Sequence, residues 1–140
     1  MLETFETVAK AIADPNRVRI LKLLEGGELC VCQITTVLNL AAGTISKHLG
    51  VLKTAGLVQL RRDGKWAYYR LAEQAFNPYA PALLAVVRAT LADDPTVTED
   101  RRLLKLVNAV ALPVLCHQGR AALGPDVQAA PQSNCCGTPS

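Results

Sequence analysis

At Gly56 the spacing of apolar residues in this chain changes from a helical period to a period of two, and few folds accommodate that change. Before it, Ile45, Leu49 and Leu52 fall at i, i+4 and i+7, which predicts a helix from about Ala42 to Ala55. After it, Leu57-Val58-Gln59-Leu60-Arg61-Arg62 and Lys65-Trp66-Ala67-Tyr68-Tyr69-Arg70-Leu71 flank Asp63-Gly64, a hairpin turn signal. Upstream, a shorter helical stretch opens at Glu28-Leu29-Cys30-Val31-Cys32 and runs through Val37-Leu38, with a turn at Asn39-Leu40. Two short helices joined by a tight turn and followed by a basic hairpin predict a winged helix-turn-helix.

The flanking segments are helical in pattern. Phe5, Val8, Ala9 and Ile12 share one face of a first helix, from about Glu3 to Ala13. Asp14 and Pro15 then supply an N-cap and a first helical residue for a second helix, which runs to about Leu24 and stops at Gly26-Gly27. A further helix is expected from Asn77 to Leu91. Asp93-Asp94-Pro95 breaks it, and Thr98-Glu99-Asp100 is expected to cap another helix through about Leu112. Beyond His117 the chain is rich in Gly, Ala, Gln, Pro and Ser, which predicts a flexible tail from Gly119 to Ser140. The expected class is therefore α+β, mainly α: a winged domain over residues 1–92 with a two-stranded wing and helices for dimerisation, a C-terminal helix over 93–118, and a cysteine-containing tail over 119–140.

Charge distribution narrows the function. The net charge is only +3, yet from Thr44 to Arg70 six Lys and Arg stand against one acid, Asp63. A basic middle between acidic ends is the footprint of a phosphate-facing surface. Thr44, Ser46, Lys47, His48 and Lys53 are expected to face out from the second helix of the pair, where short polar side chains reach base edges and phosphates of double-stranded DNA. Arg61, Arg62 and Lys65 on the wing would hold phosphates or enter the minor groove, and of Tyr68 and Tyr69 one is expected in the core. No run of about 18 apolar residues is present, so no membrane partner is expected. Met1-Leu2-Glu3-Thr4-Phe5-Glu6 lacks a basic start before an apolar run, so a cytoplasmic location is expected.

Taken together, three motifs resemble the ArsR/SmtB family of metal-sensing repressors over roughly Phe5 to Leu91. Asp14-Pro15-Asn16-Arg17-Val18-Arg19-Ile20-Leu21 is similar to its second-helix signature, Thr44 to Val58 to its recognition helix and exit, and Asp63 to Leu71 to its wing. The resemblance implies a homodimer on a palindromic operator, assembled through the first helix and the helix around Leu83 to Leu91. Ala41-Ala42-Gly43 stands where the family usually carries Ser or Gln, and a helix start without a capping side chain loses about 0.5–2 kcal/mol.

Four of the five cysteines sit in close pairs, Cys30 with Cys32 and Cys135 with Cys136, while Cys116 stands apart. In a cytosolic chain such thiols are expected to be reduced and to serve metal or redox chemistry rather than a disulfide framework. The Cys-Val-Cys box resembles that of the family's arsenite-responsive branch, which implies trivalent arsenic (arsenite, with antimonite or an organoarsenical as variants) as the inducer and no organic cofactor. Soft thiolates select thiophilic ions, and a helix N-terminus favours the thiolate. Residues i and i+2 of a regular helix point about 200° apart, so sharing one ion requires the first turn to unwind. Trivalent arsenic commonly takes three thiolates, and where relatives often add a further Cys this chain reads Gln33-Ile34-Thr35. The third thiolate then comes from Cys116 or from Cys135 and Cys136, with two-thiol binding and a second, separate site left open.

Competing classes fare worse. Cys116-His117 adjacent in sequence is weak as a nucleophile and base, and Cys30-x-Cys32 lacks the two-residue spacer of thioredoxin-like motifs, so no enzyme is expected. Asn77 to Leu91 holds no His, Asp or Glu, which removes a zinc site on that helix. A thiol redox sensor, or a cadmium or lead sensor of the same fold, stays open.

Overall fold

The structure is a computed structural model that describes residues 1–73 and 76–124. Among the described residues, seven helices and a three-stranded sheet follow in the order α1 (Leu2–Ala11), α2 (Pro15–Leu24), β1 (Leu29–Cys30), α3 (Val31–Leu38), α4 (Ala42–Thr54), β2 (Val58–Asp63), β3 (Trp66–Leu71), α5 (Ala80–Ala89), α6 (Pro95–Asn108) and α7 (Leu112–Gln118), with a 3₁₀ turn at Gly119–Leu123. This is a winged helix-turn-helix, mainly α.

Local chemistry accounts for the boundaries. The Asp14 carboxylate accepts from the backbone N–H of Asn16 (2.8 Å) and Arg17 (3.2 Å), capping α2 with Pro15 in its first turn. Asn39, at φ 56°, ends α3 in the left-handed conformation that Asn tolerates, and so sets the tight turn into α4. Ile20, Leu21, Ile34, Ile45, Leu49, Leu52 and Leu57 fill a single core in which α2, α3, α4 and the wing base meet.

Four expectations change. The two-stranded hairpin wing belongs to a three-stranded sheet, ordered β1-β3-β2, because Leu29 and Cys30 pair with Tyr69 and Tyr68 of β3 before α3 begins. The cysteine box therefore opens on a strand and not inside a helix. The hairpin turn is one residue later than Asp63-Gly64, since Asp63 pairs with Trp66, leaving Gly64 (φ 61°) and Lys65 at the tip. The helix expected from Asn77 begins at Ala80, because the Asn77 side chain accepts the Tyr79 N–H (2.9 Å) and makes a turn there.

The fourth change matters most for the site. The helix expected from Thr98 to Leu112 is two. Asp94 caps α6 through the N–H groups of Thr96 and Val97, with Pro95 following it, and Pro113 prevents that helix from running on into α7. Leu103, Val107 and Leu115 bring α6 and α7 into the core shared with α2 and α3. Asp100, buried, receives a two-pronged ion pair from Arg19 of α2 (2.8 and 3.0 Å). Within the expected tail, Gly119–Leu123 forms the 3₁₀ turn, from which Arg120 donates to the Thr36 and Val37 carbonyls (3.0 and 2.8 Å) at the end of α3. α7 and its turn thus run along α3 as a strap.

Candidate nucleic-acid interface and thiol hollow

Thr44, Ser46, Lys47 and Lys53 of α4 are exposed, while Ile45, Leu49 and Leu52 bury the stripe that docks the helix on the core. No side chain caps its start at Ala41. His48 departs from the expectation that it faces out. It is half-buried, its Nδ1 lies 3.4 Å from Arg17 Nη1, and Arg17 is held by the Ala11 and Lys10 carbonyls (2.7 and 3.0 Å). Burial, helped by the Arg17 charge and opposed by Asp14, lowers the His48 pKa, which favours the neutral ring at pH 7. His48 braces α4 against α2.

On the wing, Arg61, Arg62 and Lys65 are all exposed, but they differ in partners. Arg61 grips Glu28 with two hydrogen bonds (3.0 and 2.7 Å) and lies over the Tyr68 ring at 4.5 Å. The hydrogen bond with Arg61 also holds the Glu28 carboxyl below its ordinary pKa. Among the described residues Arg62 and Lys65 pair with no carboxylate, and Lys65 sits over the Trp66 ring at 5.1 Å. Tyr69 packs against the core.

The thiols occupy the junction of these parts. Cys30 is a free thiol, 2% exposed, on β1 at the N-cap of α3, where its N–H donates to Gln33 Oε1 (2.8 Å). Cys32, two residues on in the first turn of α3, is joined by a disulfide to Cys116 of α7, 84 residues away, with Cα atoms 5.3 Å apart. That bond corrects the expectation that these thiols are all free. Buried Leu115 anchors α7 beside α3 and holds Cys116 within bridging range of Cys32. Cys135 and Cys136, the other proposed ligands, lie outside the described residues.

An open hollow of about 680 Å³ joins both halves of the site. Cys30, Cys32 and Cys116 line it, and so do Ser46 of α4 and Arg62 and Lys65 of the wing. Among the described residues no three His, Cys, Asp or Glu side chains stand grouped as a metal site, and Cys32 and Cys116 are bonded to each other. Sequence reasoning missed the supporting cast: Glu28 fixing the wing, Arg17 fixing α4, and Leu115 and Arg120 fixing the strap. Glu28 precedes the box directly, but a two-residue strand leaves no periodicity that would have shown its pairing with β3.

Comparison with known proteins agrees with the fold. Residues 14–59 match the family described as "Bacterial regulatory protein, arsR family". An uncharacterized HTH-type transcriptional regulator of Methanocaldococcus jannaschii is 45% identical over 76 residues, covering 51% of this chain and 85% of that protein. The arsenical resistance operon repressor of Escherichia coli is 43% identical over 79 residues, 56% of this chain, which spans only 63% of that repressor's length. The solution structure of a homodimeric winged helix-turn-helix DNA-binding domain from Mycobacterium bovis, a possible ArsR-family transcriptional regulator, superposes with a TM-score of 0.54. It is 38% identical, over 63% of this chain and 78% of that one. In chain length, these matches account for the winged core rather than for the whole molecule.

Proposed function

Because this chain belongs to the arsR family of bacterial regulatory proteins, we propose that it is a homodimeric transcriptional repressor that releases its operator when a trivalent metalloid, arsenite foremost, is captured by Cys30, Cys32 and Cys116. One observation carries the proposal: three cysteines brought from two distant stretches of chain line one hollow with Ser46, Arg62 and Lys65. Change at the sulfurs is therefore change beside the groups proposed to touch DNA.

The residues fit a thiophilic ligand after the Cys32–Cys116 bond is reduced. Two thiols then face each other across α3 and α7, and bound trivalent arsenic would supply sulfur-seeking Lewis acidity. Cys30 lines the same hollow from a buried place on β1, where it pairs with Tyr68 of the wing. Recruiting it would pull β1 away from β3 and loosen the N-cap of α3, which leads through Asn39 into α4. Release from nearly full to nearly empty operator needs about 5.5 kcal/mol of preference for the free form. A third thiolate drawn from β1 couples ligation to that change.

The test is fluorescence anisotropy on a labelled copy of the protein's own promoter, with reduced protein, titrated with arsenite and then with cadmium and zinc. Wild type releases DNA on arsenite, whereas Cys30→Ser and Cys32→Ser bind DNA and stay bound. Arsenite-driven release by both variants would sink the assignment. The Cys32–Cys116 disulfide favours a second reading, a thiol redox sensor of the same fold. Loss of DNA on peroxide but not on arsenite would select it, and release by cadmium alone would select a cadmium or lead sensor.

A further inference from the structure

The hollow is open to solvent and, at about 680 Å³, much larger than a single three-coordinate ion requires. Its walls are also chemically uneven. The lining combines the sulfurs, two cations without a carboxylate partner among the described residues, and the Trp66, Tyr69 and His117 rings. Cys116 is exposed and Cys32 half-buried, so an incoming nucleophile meets Cys116 Sγ first. Cys32 in the first turn of α3 is the better leaving thiolate, because backbone N–H groups there stabilise the anion.

We propose that this hollow is a binding and modification site for a small thiol carrying carboxylates, held by Arg62 and Lys65 and joined to Cys116 as a mixed disulfide. In the step, the small thiolate attacks Cys116 Sγ. The Cys32–Cys116 bond breaks, the new sulfur–sulfur bond forms to Cys116, and the electron pair leaves on Cys32. The proton lost when the small thiol ionised is available to Cys32, and no further oxidant or reductant enters. The adduct's carboxylates then cover the two wing cations, so the modified protein presents less positive charge to DNA. The site depends on the lining of the hollow and not on arsenite, so a protein blind to arsenite still forms the adduct.

The experiment exposes the disulfide form of the full chain, without oxygen, to three probes in turn: glutathione (anionic), mercaptoethanol (neutral) and cysteamine (cationic). Rates of mixed-disulfide formation are compared per thiolate, after acid quench and peptide mapping by mass spectrometry. A cleft of one charge sign raises the arrival rate of a counter-ion by about tenfold or more, so glutathione should outpace cysteamine by at least that factor at low salt. Salt should erode the advantage. Arg62→Ala combined with Lys65→Ala should remove it, while Arg88→Ala, outside the hollow, should leave it intact. Equal rates per thiolate for all three probes would overturn the proposal. So would an adduct mapped to Cys32, or a glutathione advantage that survives loss of both wing cations. Both wing residues are exposed on a hairpin, so their loss leaves the core untouched.

Discussion

Replacing Leu115 with Ala tests whether the strap is what gives this protein its thiol chemistry. Leu115 is the one α7 side chain that is fully buried, 1% exposed, and it enters the same core as Ile34 and Val107. Truncating such a leucine costs about 3 kcal/mol, from lost transfer energy and the cavity left behind. The cost falls on a short segment also held by the Arg120 hydrogen bonds, the packing of Leu123 and the disulfide itself. A loss of about 3 kcal/mol in docking lowers the effective concentration of Cys116 at Cys32 by up to about a hundredfold.

The assay is equilibration of wild type and Leu115→Ala in glutathione redox buffers, with the fraction of Cys32–Cys116 disulfide read by mass spectrometry. The variant should need a more oxidising buffer, its effective molarity lower by ten- to a hundredfold, while Leu115→Met, which keeps the volume, loses less. Retained far-UV circular dichroism of the remaining helices separates strap release from global unfolding. An unchanged effective molarity alongside lowered global stability would refute the reasoning. It would mean that α7 is docked by the rest of the core and does not move as a unit.

Three further outcomes are expected. Glu28→Gln frees Arg61 from its ion pair, so operator affinity should rise at low salt and the slope of log affinity against log salt steepen by up to about one unit; the gel-shift or anisotropy salt series that shows no steeper slope removes Arg61 from the phosphate contacts. Lys47→Ala and Arg62→Ala should each weaken binding and flatten that slope by about one unit, measured in the same series. His48 has a folded pKa below its ordinary 6.5, so the unfolded chain binds the proton first and stability is lost as pH falls from 6.5 towards the folded value. Urea midpoints across that window should decline in wild type and flatten in His48→Gln; identical slopes would place the titration elsewhere.

The fold was legible where side-chain period and punctuation agree. Ile45, Leu49 and Leu52 declared α4, Asp14-Pro15 declared the start of α2, and the alternation around Trp66 to Leu71 declared β3. Each is a local signal that tertiary packing reinforces. β1 was not legible, because two residues cannot display a period and their strand character comes from pairing with Tyr68 and Tyr69, nearly forty positions away. The expected helix stopped at about Leu112, directly before Pro113, whereas α6 ends at Asn108; Ala109-Val110-Ala111 contains no Gly or Pro, so the earlier break left no local signal.

The site divides along the same line. Side chains that act outward from a regular element, such as Lys47 on α4 or Arg62 on the wing, follow from the element and its period. The meeting of Cys32 with Cys116 does not, because it depends on where α6 delivers the chain, and that is decided by Arg19 with Asp100 and by the burial of Leu103 and Val107. The family match at residues 14–59 ends well before this extension. The winged core therefore supplies Cys30, Cys32 and the exposed cations of α4 and the wing, while the extension supplies Cys116 and, with Pro113 and His117, one part of the hollow's lining. If that division of labour holds, deleting residues 112–140 leaves a winged domain that still binds DNA through α4 and the wing. The same deletion leaves Cys32 without a bridging partner in the described chain, so its response to oxidants and metalloids must change even though every DNA contact is kept.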